Sequence, residues 1–548
     1  MRTYSKIPTS LAAGAGLLAV FIIGALLYGP GLNYPFFFDD YNSLMNDQGL
    51  INPKLAQPEG CARDLIFAPL RPDRNLTWLT FAASYRLGKM NPGTYRAVNL
   101  FLHCGCAGLL YLILVLLLKP DQLSGEKAQA SSRAGQGKIY APALAATLFF
   151  LAHPLALNSV LYISQRFCLQ AAFFYLASFY AWLQARRPAM SPTGFKFSSR
   201  LWFSAAGLAF WAALHSKEMA FTLPLTILFY EIYTGRINLA KTRNLLLTIM
   251  AFSLIGAGFW LFALKIGLFH RSWINIGFCS SRLWSPTIQF LSEARAFFHY
   301  WLRLFLPLPR WLSLHHEFSP SVSLADPASL SALAGHAALL VGALRIRRRL
   351  PLAGFGILWF YLILAPPYLF LPQAELLVEY KTYLAAPGAA MLLAALLAAA
   401  GRRLAQTNQT GLKIILGGLL AIWLIFLILT TWQRRTVFAG PLALWNDVLK
   451  KYPASRRALN NRAVAHLKNR QPELALADLD QLVIHHPDYA RGFENRGRLR
   501  LYFKDFTGAA ADLHKTLELL PERPELEKIR KELSALEETA RTAAGKER

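Results

Sequence analysis

The sequence predicts an all-α protein that crosses a membrane about eleven times and ends in a module of helical repeats. Its apolar residues fall into runs of roughly 17–25, the length that a helix needs to cross hydrocarbon. Of its 548 residues, 54% are hydrophobic, which is more than one soluble core could bury in this pattern. A charged, helix-favouring repeat follows the last apolar run and predicts the C-terminal module.

Eleven apolar runs are the predicted crossings. They occupy residues 11–29, 95–118, 140–156, 159–184, 201–215, 218–234, 244–267, 329–344, 351–371, 383–400 and 412–432. Gly29-Pro30-Gly31 is a poor cleavage site, so the first run is expected to stay as a helix and not to act as a signal peptide. Residues 287–307 form a twelfth candidate, but they carry several charges and are expected to lie in the membrane interface.

The basic residues indicate the orientation of the chain. The net charge of +27 comes from Lys and Arg at the ends of apolar runs, not from a basic stripe with aromatics, so no nucleic-acid partner is expected. With the N-terminus inside, every connector predicted to be cytoplasmic is basic: 119–139, 185–200, 235–243, 345–350 and 401–411. Eleven crossings then place the C-terminus outside.

The C-terminal region repeats every 34 residues. Pro453, Pro487 and Pro521 are spaced by 34, and Asn461-Arg462 recurs as Asn495-Arg496. This is the tetratricopeptide period, in which each unit is a pair of helices. About two full repeats follow half of one, and so short an array is expected to lean on the membrane domain or on a partner.

These observations divide the chain into three parts. A transmembrane domain is predicted over 1–436, a tetratricopeptide-repeat module over 437–540 and a flexible tail over 541–548. Among the five cysteines, Cys61 and Cys279 fall in predicted outer loops, and we expect them to form a disulfide there. No Cys or His spacing predicts a zinc site, and no metal or cofactor is expected.

Two adjacent carboxylates, Asp39 and Asp40, follow an aromatic run just past the outer end of the first crossing. Charges beside an interfacial aromatic belt carry a desolvation cost that a plain connector avoids. Repulsion between neighbouring carboxylates raises the pKa of one of them, which suits a general base. An equally open interpretation is that the two residues cap a short helix or pair with Arg71 and Arg74.

Other unusual polar residues fall on the same predicted face. They are His153, Arg166, Lys217, Glu218, Glu379, Tyr380 and Lys381. Arg166 lies inside an apolar run, where it either pairs with a buried acid or binds a phosphate through its planar guanidinium. Interfacial anchoring is the open alternative for the Lys217-Glu218 and Glu379–Lys381 segments.

The order of these motifs carries a resemblance. The motifs are Phe38-Asp39-Asp40-Tyr41, Arg71-Pro72, Tyr95-Arg96-Ala97-Val98-Asn99, His153-Pro154, Ile163-Ser164-Gln165-Arg166, Ser216-Lys217-Glu218 and Glu379-Tyr380-Lys381. Together with the repeat tail, they resemble the transmembrane and tetratricopeptide-repeat O-mannosyltransferases and their bacterial relatives, of the GT-C superfamily. Asn158 departs from the Glu usual in that family, and Cys168 departs from the Asp usual in its animal members.

The resemblance implies a GT-C-like membrane domain that transfers a sugar, with inversion, from a polyprenyl-phosphate donor to a hydroxyl acceptor. Asp39 or Asp40 would face the acceptor, while Arg166, together with Lys217, Arg71 or Lys381, would hold the donor phosphate. The chemistry agrees, since cations stabilise the departing phosphate and an alcohol needs a base as it attacks. His153, Glu218, Glu379 and Tyr380 are further site candidates.

The expected acceptor is a Ser or Thr of an exported protein, held by the repeat module. The expected location is a bacterial inner membrane, with the N-terminus cytoplasmic and the module periplasmic. One alternative function is an O-oligosaccharyltransferase or antigen ligase that uses a diphosphate carrier. Another is a membrane scaffold or transporter that displays the module, although the sequence lacks the paired internal repeats of transporters.

Overall fold

The computed structural model describes residues 9–45, 51–56, 59–62, 74–119, 139–186, 198–235, 237, 285–369, 375–407, 409–520, 529–531 and 533–534. Within these ranges the chain is helical, apart from turns and an isolated β-bridge between Met45 and Ile51. It divides into two compact units. The membrane unit comprises Met1–Leu312 and Phe318–Thr436, and the repeat unit comprises Ser313–Glu317 and Val437–Arg548.

The helices of the membrane unit are numbered in chain order. They are α1 (Thr9–Tyr28), α2 (Asp39–Leu44), α3 (Pro53–Ala56), α4 (Asn75–Gly88), α5 (Pro92–Leu117), α6 (Tyr140–Leu151), α7 (Leu157–Val160), α8 (Arg166–Ala185), α9 (Ser199–Leu214), α10 (Leu223–Tyr233), α11 (Pro286–Phe305), α12 (Pro327–Ile346), α13 (Pro351–Tyr368), α14 (Ala386–Ala405) and α15 (Thr410–Arg434).

Six stretches in the described ranges are long and apolar enough to cross a membrane. They are Gly14–Gly31, Pro92–Leu117, Pro327–Ile346, Pro351–Tyr368, Ala386–Ala405 and Thr410–Ala439. A seventh forms if Tyr140–Leu151 and Pro154–Val160, which are bent by 45°, count as one span. The multi-pass architecture is thus supported, whereas the count of eleven is not confirmed.

Several predicted crossings are absent from the apolar spans for local reasons. α9 and α10 lie at predicted crossings, but their 16 and 11 residues span only about 24 and 17 Å at 1.5 Å per residue. α8 has 20 residues but begins at Arg166 and contains further polar side chains. The predicted crossing 244–267 lies outside the described residues. α11, at the candidate expected to lie in the interface, is not among the apolar spans.

Capping residues and prolines set several helix starts. The Asn91 side chain accepts a hydrogen bond from the Gly93 N–H at 2.9 Å, and Pro92 occupies the first turn of α5. At α12, the Asp326 carboxylate accepts from the Ala328 N–H at 3.2 Å, ahead of Pro327. A capping acceptor satisfies one of the free N–H groups of the first turn, while proline leaves no N–H to satisfy.

A layer of buried side chains lies beneath the loop that follows α1. It consists of Phe36, Leu44, Leu55, Phe81, Tyr95, Ile163 and Phe167. These residues come from the loop itself, from α2 to α5 and from the chain around the start of α8. Residues distant in sequence therefore pack into one apolar cluster that includes Phe36 and Leu44, on either side of the aspartates in sequence.

α13 and α14 approach each other closely in the membrane unit. A Cβ added to Gly356 would meet the Gly388 carbonyl oxygen, and a Cβ on Gly388 would meet that of Gly356, each at 2.4 Å. Only glycine allows this approach, and beside it the Trp359 indole donates to the Leu384 carbonyl at 2.9 Å. The contact fixes the chain that leads from the turn Glu379–Thr382 into α14.

The repeat unit contains α16 (Pro441–Lys451), α17 (Arg456–Lys468), α18 (Pro472–His485), α19 (Ala490–Tyr502) and α20 (Phe506–Leu519). Adding 34 to both ends of α17 gives the ends of α19, and adding 34 to those of α18 gives those of α20. The flexible tail predicted at 541–548 lies outside the described residues.

The contacts repeat with the same offset of 34. Arg462 donates from Nε and Nη2 to Asp478 at 2.9 and 2.6 Å, and Arg496 donates from the same atoms to Asp512 at the same distances. Each ion pair joins the first helix of one 34-residue repeat to the second helix of the same repeat. The period of 34 therefore holds in the side-chain contacts as well as in the helix boundaries.

Ser313–Glu317 belongs to the repeat unit although it lies between α11 and α12 in sequence. The Glu317 carboxylate accepts a hydrogen bond from the Ser455 hydroxyl at 2.7 Å, and His316 Nδ1 lies 3.2 Å from the Tyr452 hydroxyl. This segment thus supports the start of the short repeat array, a contribution that the sequence period alone does not reveal.

Candidate functional site

The structure separates the roles of the two adjacent carboxylates. Both occupy the first turn of α2, after Phe38, whose positive φ of 51° is unusual for a bulky residue. Asp40 is fully buried, and its carboxylate accepts hydrogen bonds from the Ser164 N–H at 3.0 Å and the Phe37 N–H at 3.4 Å. Burial raises the pKa of Asp40 to about 7, against the opposing effect of Arg96. Asp40 therefore ties the loop to the turn before α8.

Arg96, on α5, completes this anchor. Its Nη2 lies 3.9 Å from the Asp40 carboxylate, and neither side chain is exposed. Its other contacts are with main-chain carbonyls: Leu161 at 2.7 Å, Leu32 at 3.1 Å, Pro35 at 2.8 Å, and Tyr34. A single guanidinium thus holds the whole loop between α1 and α2. The motif comparison included Arg96, but sequence reasoning assigned it no role.

Asp39 is only partly buried. Its backbone N–H donates to the Tyr162 hydroxyl at 3.1 Å. Burial raises the pKa of the Tyr380 phenol, and the charges of Cys168 and Asp39 add to this effect. Asp39 and Tyr380, which lie far apart in sequence, are therefore coupled electrostatically.

Lys217 reaches the same place from the turn before α10. Its Nζ donates to the Cys168 thiol at 2.7 Å and lies 5.3 Å from the centroid of the Tyr380 ring. Among the described residues, no carboxylate lies within 4.0 Å of this ammonium group. Lys217 thus keeps a positive charge that no described ion pair neutralises.

The neighbouring acid, Glu218, is already paired. Arg74 Nε and Nη2 donate to its two oxygens at 3.1 and 2.8 Å, a bidentate geometry, from a left-handed backbone position with φ 57°. Burial would raise the pKa of Glu218, but the charges of Arg74 and Lys217 outweigh it and lower that pKa. Arg74 therefore pairs with Glu218, while Arg71, the other expected partner of the aspartates, lies outside the described residues.

Arg166 is fully buried between α4, α5 and α8. It donates to the Asn99 amide oxygen at 2.9 Å, the Thr80 carbonyl at 2.9 Å, the Ser84 hydroxyl at 3.0 Å and the Tyr95 carbonyl at 2.7 Å. All of these acceptors are neutral, so the expected buried acid is not among them. Four hydrogen bonds leave little donor capacity for a phosphate, and the contacts favour a structural role.

Lys381 and Glu379 form two buried ion pairs. Lys381 Nζ lies 3.1 Å from Glu293 of α11, with both side chains almost wholly buried. The Glu379 carboxylate accepts from Arg434 Nη2 and from the Asn158 amide, each at 2.6 Å. These pairs join the turn Glu379–Thr382 to α11, α7 and the end of α15, and so hold Tyr380 in position.

His153 and Arg434 complete the surroundings of this turn. His153 is buried, with Nε2 at 2.9 Å from the Leu304 carbonyl and Nδ1 accepting from the Leu155 N–H at 3.2 Å. Sequence reasoning missed Arg434, although an arginine closing the last apolar run was a usable signal. Its Nε and Nη1 atoms are buried without a hydrogen-bond partner in the described part of the chain.

Two further predictions concern a disulfide and a metal site. Cys279 is outside them, so its disulfide with the buried Cys61 stays a prediction. Within the described ranges, no group of three or more His, Cys, Asp or Glu side chains is arranged to hold a metal ion.

The fold and this site describe a helical, multi-pass membrane protein with a polar centre on loops between its apolar helices. No protein-family profile and no solved structure matches the chain. Protein O-mannosyl-transferase Tmtc3 of Drosophila melanogaster is 26% identical over 203 residues, which are 36% of this chain and 22% of the fly protein.

A second relative gives a similar result. Protein O-mannosyl-transferase TMTC4 of Mus musculus is 28% identical over 253 residues, which are 44% of this chain and 32% of the mouse protein. The matched regions thus span a third or less of each relative. The likeness supports a relationship to these transferases and a glycosyltransferase role.

Proposed function

We propose that this protein is a GT-C-type glycosyltransferase that moves a sugar from a polyprenyl-phosphate donor to a hydroxyl acceptor. The observations that carry the proposal are Lys217 Nζ, 5.3 Å from the centroid of the Tyr380 ring, and Asp39, whose charge contributes to raising the pKa of the same tyrosine. Asp39 is a partly exposed carboxylate that can face an acceptor, and Lys217 is an ammonium without a described ion pair that can face a phosphate. The names of the two relatives support the same class of reaction.

In this mechanism Asp39 is the general base. As the acceptor oxygen forms its bond to C1 of the sugar, the hydroxyl proton passes to the Asp39 carboxylate. The bond from C1 to the phosphate oxygen breaks, and its electron pair leaves with the polyprenyl phosphate. Lys217 stabilises the charge that develops on that phosphate, so the leaving oxygen needs no proton. Attack opposite the leaving group inverts the anomeric centre.

The remaining candidates receive supporting roles. Asp40, Arg166 and Lys381 hold the loops through buried contacts. Glu218 holds Arg74 beside Lys217, and Arg71 remains a further candidate for the phosphate.

We further propose that the repeat unit is a tetratricopeptide module in the periplasm of a bacterium, where it holds the acceptor, a Ser or Thr of an exported protein. The recurring contacts at an offset of 34 support the module, and the basic connectors support the orientation. A reporter fused after Arg548 and active only outside the cytoplasm tests this orientation. Activity of a cytoplasm-only reporter would contradict it.

The reaction is tested with the full chain reconstituted in lipid vesicles. A polyprenyl-phosphate sugar with a labelled sugar group is supplied together with a peptide that contains Ser and Thr. Mannose is the first sugar to supply because both relatives are named for it. We expect the labelled sugar to be transferred to the peptide and to be released from it by base-catalysed elimination. When the sugar is supplied on a diphosphate-linked donor instead, we expect no transfer. Transfer from the diphosphate donor alone would replace the proposal with the ligase alternative.

A further inference from the structure

The repeat unit contains a groove that the proposed chemistry does not use. It is lined by residues of α17, α18 and α19 and by Arg470, and it has a volume of about 550 Å³. The residues that line it are Asn460, Ala463, Val464, Leu467, Arg470, Pro472, Leu479, Asn495, Arg498, Leu499 and Tyr502. All of them belong to the repeat unit, so the groove is a property of that unit alone.

Part of the groove wall is apolar and open to solvent. Val464 is 40% exposed, Leu467 is 41% exposed and Tyr502 is 71% exposed. Tyrosine and leucine side chains that share one concave surface offer contact area at a small cost in conformational entropy. The wall is therefore suited to an apolar side chain of an extended segment.

The charged residues of the groove are all basic. Arg470 and Arg498 line it, and no Asp or Glu is among the lining residues. Arg498 Nη1 lies 3.1 Å from Glu494, and the side chain keeps 44% of its surface exposed. Arg470 follows α17 in a left-handed conformation, with φ 58°, which fixes the direction in which its side chain leaves the chain. The rim thus favours a carboxylate and repels a cation.

The floor offers amide groups. Asn495 Nδ2 donates to the Asn460 amide oxygen at 2.7 Å, which links α19 to α17 across the groove. An asparagine side chain has donor and acceptor groups beyond this one contact, and these match the N–H and C=O groups of an extended backbone. A segment without secondary structure could therefore satisfy its main chain here.

We propose that this groove binds an extended acidic peptide segment, in which an apolar residue sits between Asp or Glu residues. The apolar residue contacts Val464, Leu467 and Tyr502, while the carboxylates bind Arg470 and Arg498. The proposal rests on the proposed function, since it names the class of acceptor that the repeat unit recruits. Exported proteins with such a segment near a Ser or Thr are then the preferred acceptors.

Binding is measured without any sugar donor, on the full chain in discs of zwitterionic lipid. Three labelled peptides are compared by fluorescence anisotropy: an Asp/Glu peptide, its Asn/Gln counterpart and a Lys/Arg peptide. All three have the same length and contain the same apolar residue. We expect the acidic peptide to bind about tenfold more tightly than its amide counterpart, with a difference that shrinks as salt is added. Equal binding of the acidic and amide peptides would overturn the proposal.

Variants locate the binding. The double variant Arg470→Glu with Arg498→Glu should weaken binding of the acidic peptide about tenfold or more, and Tyr502→Ala should weaken binding of both the acidic and the amide peptides. The matched control is Arg491→Glu, because Arg491 is an exposed arginine of α19 that does not line the groove. If the control variant weakens binding of the acidic peptide as much as the double variant does, charge alone and not the groove is responsible.

The two proposals fail separately. Asp39→Asn should bind the acidic peptide like the unaltered protein while its sugar transfer falls by about 10²–10⁴-fold, because the groove belongs to the other unit. Groove binding without transfer to any peptide would contradict the proposed function alone. Transfer that proceeds equally well on acidic and basic peptides, and is unchanged by the double variant, would contradict the groove proposal alone.

Discussion

Asp40 and Arg96 form a buried pair, with Arg96 Nη2 3.9 Å from the Asp40 carboxylate and both side chains excluded from solvent. Arg96 holds main-chain carbonyls on both sides of Pro35, and Asp40 holds the turn at Ser164. The loop that presents Asp39 is therefore fixed by its neighbour Asp40 and by a helix that begins more than fifty residues later.

Arg96→Met should destabilise the membrane unit. The substitution leaves Asp40 buried without its cation and removes the donors of several carbonyls, which costs about 3–5 kcal/mol for a buried pair. Thermal unfolding in detergent measures the loss. Arg86→Met is the matched control, since Arg86 is an exposed arginine of α4. If Arg96→Met has the same melting temperature as Arg86→Met, the anchoring role of Arg96 is contradicted.

The sequence predicted the place of the carboxylate pair but not which member is buried. Neighbouring residues of a helix point about 100° apart, so one faces inward, and the choice depends on how the loop folds around Arg96. The alternative that the pair caps a short helix is not what the structure shows: both residues lie in the first turn of α2, but its N-cap is Phe38 and no side-chain cap hydrogen bond forms there.

Arg166 shows a second limit of sequence reasoning. An arginine inside an apolar run signalled an unusual contact, yet two of its acceptors are main-chain carbonyls, whose positions leave no mark on residue identity. The repeat period, in contrast, was readable because the contacts of each unit lie only 16 residues apart, as between Arg462 and Asp478. Local, periodic contacts are visible in a sequence, whereas loop and main-chain contacts are not.

Arg166→Met should lower stability and leave donor use intact. A buried guanidinium with four neutral acceptors contributes to packing and polar satisfaction, so its removal leaves the Asn99 amide oxygen without this donor and takes one donor from each of the Thr80 and Tyr95 carbonyls. We expect a lower melting temperature and an unchanged KM for the donor in the folded fraction. Wild-type stability with a donor KM raised tenfold or more would restore the phosphate-binding role.

Lys217→Met should impair donor binding with little effect on stability. A charge-assisted contact to phosphate contributes about 1.5–3 kcal/mol, so the KM for the donor should rise by about ten- to a hundredfold. Lys217→Arg should recover part of the loss, because it restores the charge. Lys89→Met removes a lysine at the end of α4 and is the control. An unchanged donor KM in Lys217→Met would exclude this residue from the phosphate site.

The Glu317 contact predicts a pH dependence for the repeat unit. A hydrogen bond with His315 is the main reason that the pKa of Glu317 is lowered from 4.5 to about 2, with the Ser455 hydroxyl adding to the effect. Its stabilisation is therefore complete above pH 4.5 and is lost as the pH falls towards 2. Melting temperatures of the unaltered protein and Glu317→Gln should converge on acidification. A constant difference between them would contradict this link.

The central claim is that Asp39 removes the proton of the acceptor, and turnover of Asp39→Asn in reconstituted vesicles tests it most directly. The amide keeps the shape of the side chain but cannot accept the proton, so turnover should fall by about 10²–10⁴-fold. Donor binding should persist, because Lys217 is untouched and the substitution removes a negative charge near the phosphate. Sugar transfer by Asp39→Asn at the wild-type rate would show that the base lies elsewhere.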